Sequence, residues 1–100
     1  MTSATAPTVT VRVTAVLQKL TGGQKLVEAR GATIGEILDD LESQHPGFKA
    51  QMIGEDGQLQ RFVNVYLNDE DVRYTGGVGT KVNDGDTIDI LPALAGGARS

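Results

Sequence analysis

One hundred residues fit a single domain, and at this size folding removes roughly two thirds of the unfolded chain's surface, enough for one modest core. The composition, 39% apolar and 22% charged, is that of a globular domain, and the absence of cysteine excludes disulfides, thiolate metal sites and cysteine catalysis while fitting a reducing, cytoplasmic setting. No apolar run approaches the roughly 20 residues that span a bilayer, and a net charge of −4 lacks the basic footprint that nucleic acid requires, so a protein with a complementary basic patch is the better-matched partner.

Residues 1–8, MTSATAPT, carry neither a basic n-region nor an apolar h-region and read as a short flexible lead-in. VTVRVTAVL (9–17) sets Val9, Val11, Val13 and Ala15 on one face against Thr10, Arg12 and Thr14, the alternation of a half-buried strand. A Gly-rich turn at 21–24 and KLVEA (25–29) complete a hairpin. Thr33 and Glu36 have capping-box spacing, so each side chain can satisfy an orphan amide at a helix start. Ile34, Ile37, Leu38 and Leu41 then form an i, i+3, i+4, i+7 stripe, and Pro46-Gly47 ends the helix.

Beyond the helix, Phe48 and Met52-Ile53 are expected to anchor a loop or a short helical turn. LQRFVNVYLN (59–68) reads as a strand, 68–71 as a polar turn, and Val72-Arg73-Tyr74 as a segment that pairs briefly. Asn83-Asp84-Gly85-Asp86 is a turn in which glycine supplies positive φ. TIDIL (87–91) is the last strand, with Ile88 and Ile90 inward, and Pro92 is expected to break its ladder for want of an N–H. Val11, Val13, Ile37, Leu41, Val65, Ile88 and Ile90 are the expected core.

A hairpin, one long helix and further strands make an α+β layer, a mixed sheet covered by one main helix. With the last strand beside the first, the arrangement is a β-grasp, with the domain spanning 9–92 and a flexible tail at 93–100. The TGGQK turn, the capped helix, VNVYLNDEDVR, the DGD turn and LPALAGG together resemble the small ubiquitin-like sulfur carriers of the ThiS/MoaD family, most of all its CysO type, which serves cysteine synthesis. The resemblance covers nearly the whole chain.

It implies that the chain is no enzyme but a protein co-substrate, and that it binds no cofactor or metal of its own. An E1-like adenylating and sulfurtransferase enzyme would spend ATP to adenylate the carboxylate of Gly97, with Gly96 beside it, and convert it to a thiocarboxylate. A sulfur-accepting synthase would then take the sulfur. Glycines without a Cβ let the backbone pass a narrow channel. Pro92 favours extended geometry at Leu91, and Leu91 and Leu94 are the expected docking contacts on a homodimeric activating enzyme.

The family's mature carriers stop at Gly-Gly, whereas Ala98, Arg99 and Ser100 follow here, so the Gly97 carbonyl is an amide to Ala98. A propeptide cut between Gly97 and Ala98, for which a metal-dependent peptidase is a fitting processing partner, a cloning remnant, and a homologue that has lost the carrier role are the three readings. A ubiquitin-like modifier joined through Gly97 to lysines and a plain binding module with a passive tail are the alternative functions. Other features read as structural. The acidic positions Asp69, Glu70, Asp71, Asp84 and Asp86 lack calcium-loop spacing. GGVGTK (76–81) lacks the order of a phosphate loop. The lone His45 sits at a helix end with no visible catalytic neighbours.

Overall fold

The computed structural model describes residues 7–60 and 63–92. Strands β1 (Thr8–Val13) and β2 (Leu26–Arg30) form the hairpin, helix α1 (Ile34–Gln44) and the short α2 (Phe48–Met52) follow, and β3 (Val63–Leu67), β4 (Glu70–Asp71) and β5 (Thr87–Pro92) complete the chain. The sheet has five strands in the order β2-β1-β5-β3-β4. β1 and β5 run parallel and the other neighbours antiparallel, so the last strand does lie beside the first, in the sheet's centre.

The register explains the core. Val9 faces Ala29 and Val11 faces Val27 across the hairpin. Val11 also aligns with Ile88, Val13 with Ile90, and Ile90 with Val65. All of these side chains lie on one side of the pleat and all are buried. The stripe Ile34, Ile37, Leu38 and Leu41 of α1 is buried in the same cluster, so the expected core is the observed one. Phe48 and Met52 of α2 close it as fully buried plugs.

Helix α1 begins as its capping spacing predicts. The Thr33 hydroxyl accepts the Glu36 N–H at 3.2 Å, and the Glu36 carboxylate reaches back to the Ala32 N–H at 2.8 Å, one residue before the cap. The N–H of Ile34 is taken by the Thr80 carbonyl at 2.9 Å. The helix ends at His45, whose N–H bonds the Leu41 carbonyl at 2.7 Å. Glu42 starts α2 from outside it, accepting from the N–H groups of Gly47 at 3.1 Å and Lys49 at 2.9 Å. These two backbone bonds, that from Gly47 first, hold the Glu42 carboxyl below its ordinary range.

Four expected boundaries shift. The first strand stops at Val13, and Ala15–Thr21 is a 3-10 helix whose Leu17 and Leu20 pack against the core. The strand expected over 59–68 is described from Val63 to Leu67, Arg61 and Phe62 lying outside the described residues. Val72–Tyr74 does not pair; it forms a 3-10 turn that buries Val72 and is capped by Asp71, whose carboxylate accepts the Arg73 N–H at 2.9 Å. Pro92 belongs to β5, opposite Val63.

The first and last of these boundaries rest on which way each backbone group points. Thr87 faces the β3 side, because its carbonyl accepts the Asn68 N–H at 2.9 Å and its N–H meets the Asn68 side chain at 3.0 Å. Successive residues of a strand turn their N–H and C=O to opposite neighbours, so Asp89 and Leu91 also face β3, while Ile88, Ile90 and residue 92 face β1. The N–H that proline lacks is therefore one that β1 would have received, through the Thr14 carbonyl. That carbonyl accepts the Leu17 N–H at 2.9 Å instead. The end of β1, the start of the 3-10 helix and the tolerance of Pro92 are thus one event.

Candidate functional site: the C-terminal end of the central strand

β5 is the segment that leads to the tail. Leu91 is paired with Asn64 and is 36% exposed on the sheet face opposite the helix. That face carries the side chains that alternate with the core. Arg12 on β1 lies beside Asp89 on β5 and beside Leu26 on β2, and Asp89 lies opposite Tyr66 on β3. Arg12 and Asp89 form a two-pronged pair, Nε to Oδ1 and Nη2 to Oδ2, the latter at 2.8 Å. The Asp89 hydrogen bond and charge raise the Arg12 pKa further above its already high value, so the guanidinium stays charged at any physiological pH. Leu26 is 61% exposed at the end of the row. The result is an open face of two exposed leucines around a fixed charge pair.

Below Leu91 the start of β3 is held by Arg73. Its guanidinium donates to the Asn64 side-chain oxygen at 2.8 Å and to the carbonyls of Gln60 and Val63, both at 2.6 Å. The opposite end of the β3–β5 pair is held by a turn. Asn68 and Asp69 both have positive φ, 51° and 73°, the pattern of a two-residue hairpin, and Asn68 also donates to Asp86 at 3.0 Å.

Of the residues expected to act, Leu91 is on the described surface. Leu94, Gly96, Gly97 and Ala98, with the rest of 93–100 and the beginning of the lead-in at 1–6, lie outside the described residues. Three of the five acidic positions hold backbone: Asp71 accepts the Arg73 N–H at 2.9 Å, Asp84 the Thr8 N–H at 2.9 Å and Asp86 the Asn83 N–H at 2.7 Å. Among the described residues no group of three His, Cys, Asp or Glu side chains could hold a metal ion, and no helix is long and apolar enough to cross a membrane. GGVGTK includes a 3-10 turn at Gly77–Gly79 and serves the start of α1 through the Thr80 carbonyl.

Sequence reasoning missed Leu26, the Arg12–Asp89 pair and Arg73. Leu26 had a signal, an apolar residue out of phase with Val27 and Ala29 on its strand. Arg73 had none, because two of its acceptors are backbone carbonyls 10 and 13 residues away.

A mixed five-stranded sheet with its last strand central and parallel to its first, crossed by one main helix, is the β-grasp of ubiquitin-like proteins. The ThiS family matches residues 11–97, and the chain belongs to that family. It is 48% identical over 91 residues to the sulfur carrier protein CysO of Mycobacterium tuberculosis, covering 89% of this chain and 98% of that protein. A chain in the crystal structure of the Amycolatopsis orientalis BexX/CysO complex superposes with a TM-score of 0.83 at 56% identity, covering 87% of this chain and 97% of that one. Small archaeal modifier protein 3 of Haloferax volcanii is 37% identical over 78 residues, 75% of this chain and 84% of that protein.

Proposed function

We propose that this protein is a cytoplasmic sulfur carrier that works as the co-substrate of an activating enzyme. The observation that carries the reading is the reach of the family match: it runs through β5 and ends at Gly97, with Ala98, Arg99 and Ser100 beyond it. The chemistry follows from the carboxylate that cleavage after Gly97 would expose. A carboxylate is a poor electrophile, so its oxygen first attacks the α-phosphorus of ATP on the partner enzyme, forming an acyl adenylate and releasing pyrophosphate. A sulfur nucleophile at the oxidation level of sulfide then attacks the acyl carbon. The C–S bond forms, the C–O bond to phosphate breaks and AMP leaves. The thiocarboxylate donates its sulfur to an acceptor synthase, and the likeness to CysO supports cysteine, or another sulfur-containing metabolite, as the product.

The partner's side of this reaction needs a docking surface and a thread. In this reading Leu91 and Leu94 are the docking contacts, and Gly96-Gly97 are the thread that passes the channel to the nucleotide. The BexX/CysO complex, in which a similar chain meets a partner protein, supports such docking. Removal of Ala98-Arg99-Ser100 falls to a peptidase, a metal-dependent one in keeping with the family. The likeness to an archaeal modifier protein favours a second reading, in which Gly97 is joined to lysines of target proteins.

The test is ATP–pyrophosphate exchange with the activating enzyme, followed by mass measurement with sulfide present. The chain ending at Ser100 should not exchange; the chain ending at Gly97 should exchange and gain one sulfur in place of one oxygen. Equal exchange by both, with no cleavage, overturns the processing step. No exchange by either overturns the carrier reading. Whole-protein adducts in place of the sulfur gain favour the modifier.

A further inference from the structure

Ile90 is the last β5 residue aligned with β1, and past it β3 is the one strand that still pairs with β5 among the described residues. The geometry above makes Asn64 and Leu91 a pair that exchanges two backbone hydrogen bonds, the last such pair before the tail. Beyond the buried Ile90 that precedes it, the position of Leu91 therefore depends on that of Asn64. β3 begins just before it, at Val63, and among the described residues no strand pairs with the far side of Asn64, since β4 pairs with Tyr66 and Leu67. What does steady it is Arg73. Its guanidinium meets the Asn64 side chain and the carbonyls of Val63 and Gln60. The Gln60 carbonyl also accepts the Val63 N–H at 3.2 Å. Among the described residues Arg73 has no carboxylate partner within ion-pair distance. Among the described residues its guanidinium bonds three neutral oxygens at and just before this strand start. Its backbone is itself anchored by Asp71 and by the buried Val72.

We infer that Arg73 is a positioning residue for the reaction: through Asn64 and Val63 it fixes Leu91, and thereby the point and direction from which the tail enters the activating enzyme. The inference rests on the carrier reading. A brace of this kind acts before chemistry. It reduces the number of orientations that the enzyme must select among, and it leaves the reacting carboxylate untouched once bound. Its loss should therefore appear in KM and not in kcat. The planar guanidinium reaches three acceptors in a fixed fork, which an ammonium cannot reproduce, so lysine should rescue only in part.

The test uses Arg73→Met and Arg73→Lys in the chain ending at Gly97, with two readouts. Amide hydrogen exchange in the free protein should speed about tenfold or more at Asn64 and Leu91 in Arg73→Met, with Val11 and Val27 unchanged, because local opening draws on local contacts. In pyrophosphate exchange the KM for the carrier should rise about three- to tenfold at constant kcat, with Arg73→Lys between Arg73→Met and the parent. Unchanged exchange at Leu91 overturns the inference whether or not KM moves, since a KM effect alone would mean direct contact with the enzyme. Uniformly faster exchange, Val11 included, also overturns it, as general destabilisation. Inactivity of the parent chain ending at Gly97 is the failure of the carrier reading and removes the inferred role in the reaction with it, whereas failure at Leu91 leaves that reading standing.

Discussion

Gly31 joins β2 to α1, and its α-carbon lies against the helix it precedes. A Cβ there would stand 2.7 Å from the Glu36 Cβ, 2.8 Å from the Glu36 carbonyl carbon and 2.8 Å from the Ile37 nitrogen. Two of the three are helix backbone, which cannot rotate away as a side-chain end can. Relief requires the first turn of α1 to move off β2 by several tenths of an ångström, and that turn is fixed by Ile34 and Ile37, each 1% exposed. Overpacking of a well-filled site costs about 1–3 kcal/mol. Against this stands the gain from a less flexible unfolded chain, about 0.4–1 kcal/mol for Gly→Ala. The net for Gly31→Ala is a loss of about 0–2.6 kcal/mol, about 1.3 at the centre, or about 5–10 °C in Tm there for a domain of this size. Gly79→Ala is the control: no atom lies within 4 Å of its Cβ and its φ is not positive, so only the unfolded-state gain applies. Thermal melts followed by circular dichroism, with urea midpoints at constant m, measure both. A Gly31→Ala variant as stable as the parent, or the two variants shifting alike, refutes the argument from close approach.

Glu42→Gln tests the cap on α2 through pH. The folded carboxyl lies below its ordinary range, so its contribution is present above the unfolded value of about 4.3 and is lost as pH falls through the lower folded value. The stability gap between parent and variant should be constant from pH 7 to about 6 and close on further acidification toward pH 3; urea midpoints across that range check it, and a gap independent of pH sinks the assignment. Leu91→Asp places a charge on the exposed face beside Asp89 without disturbing the core, so urea midpoints should stay close to the parent's while affinity for the activating enzyme falls at least tenfold, the equivalent of about 1.4 kcal/mol. Equal affinity by calorimetry removes that face from the docking surface.

The parts of this fold that repeat were readable, and the parts that depend on a distant partner were not. Alternation in VTVRV and TIDI revealed the buried face because a sheet with one side on a helix leaves every second residue no choice. The stripe from Ile34 to Leu41 and the Thr33–Glu36 cap did the same for α1. Ala15 to Leu17 continues the apolar run but not the strand, because the hydrogen bond that would prolong the ladder belongs to Pro92, 78 residues after Thr14. Val72 to Tyr74 has strand-like residues, yet Asp71 caps a tight turn there and Val72 is drawn into the core. Gly31 is one glycine among thirteen until the helix beside it is seen. The site was legible in a different way: Gly96 and Gly97 were singled out by likeness to a family, and only Leu91 among the expected contacts can be placed on a surface.

An exit strand in the middle of a sheet has a mechanical consequence for a carrier. An edge strand can peel from its single neighbour, whereas β5 is gripped on both sides from Thr87 to Ile90 and is parallel to β1 in that stretch. The grip then narrows in one step, because β1 turns away after Val13 into its 3-10 helix and residue 92 has no N–H to follow it. Over the last two described residues the strand passes from two paired strands to one without leaving extended geometry. Under the carrier reading this is where a rigid body must give way to a segment that another protein's channel can shape. The same step concentrates the burden of orientation on the one neighbour that remains, β3, and within β3 on the residue pair nearest the exit. A side chain that bonds Asn64 of that pair and the carbonyls of Val63 and Gln60 just before it stands where direction is set: this is the physical ground on which Arg73, far from the reacting carboxylate in sequence, bears on the reaction under the carrier reading.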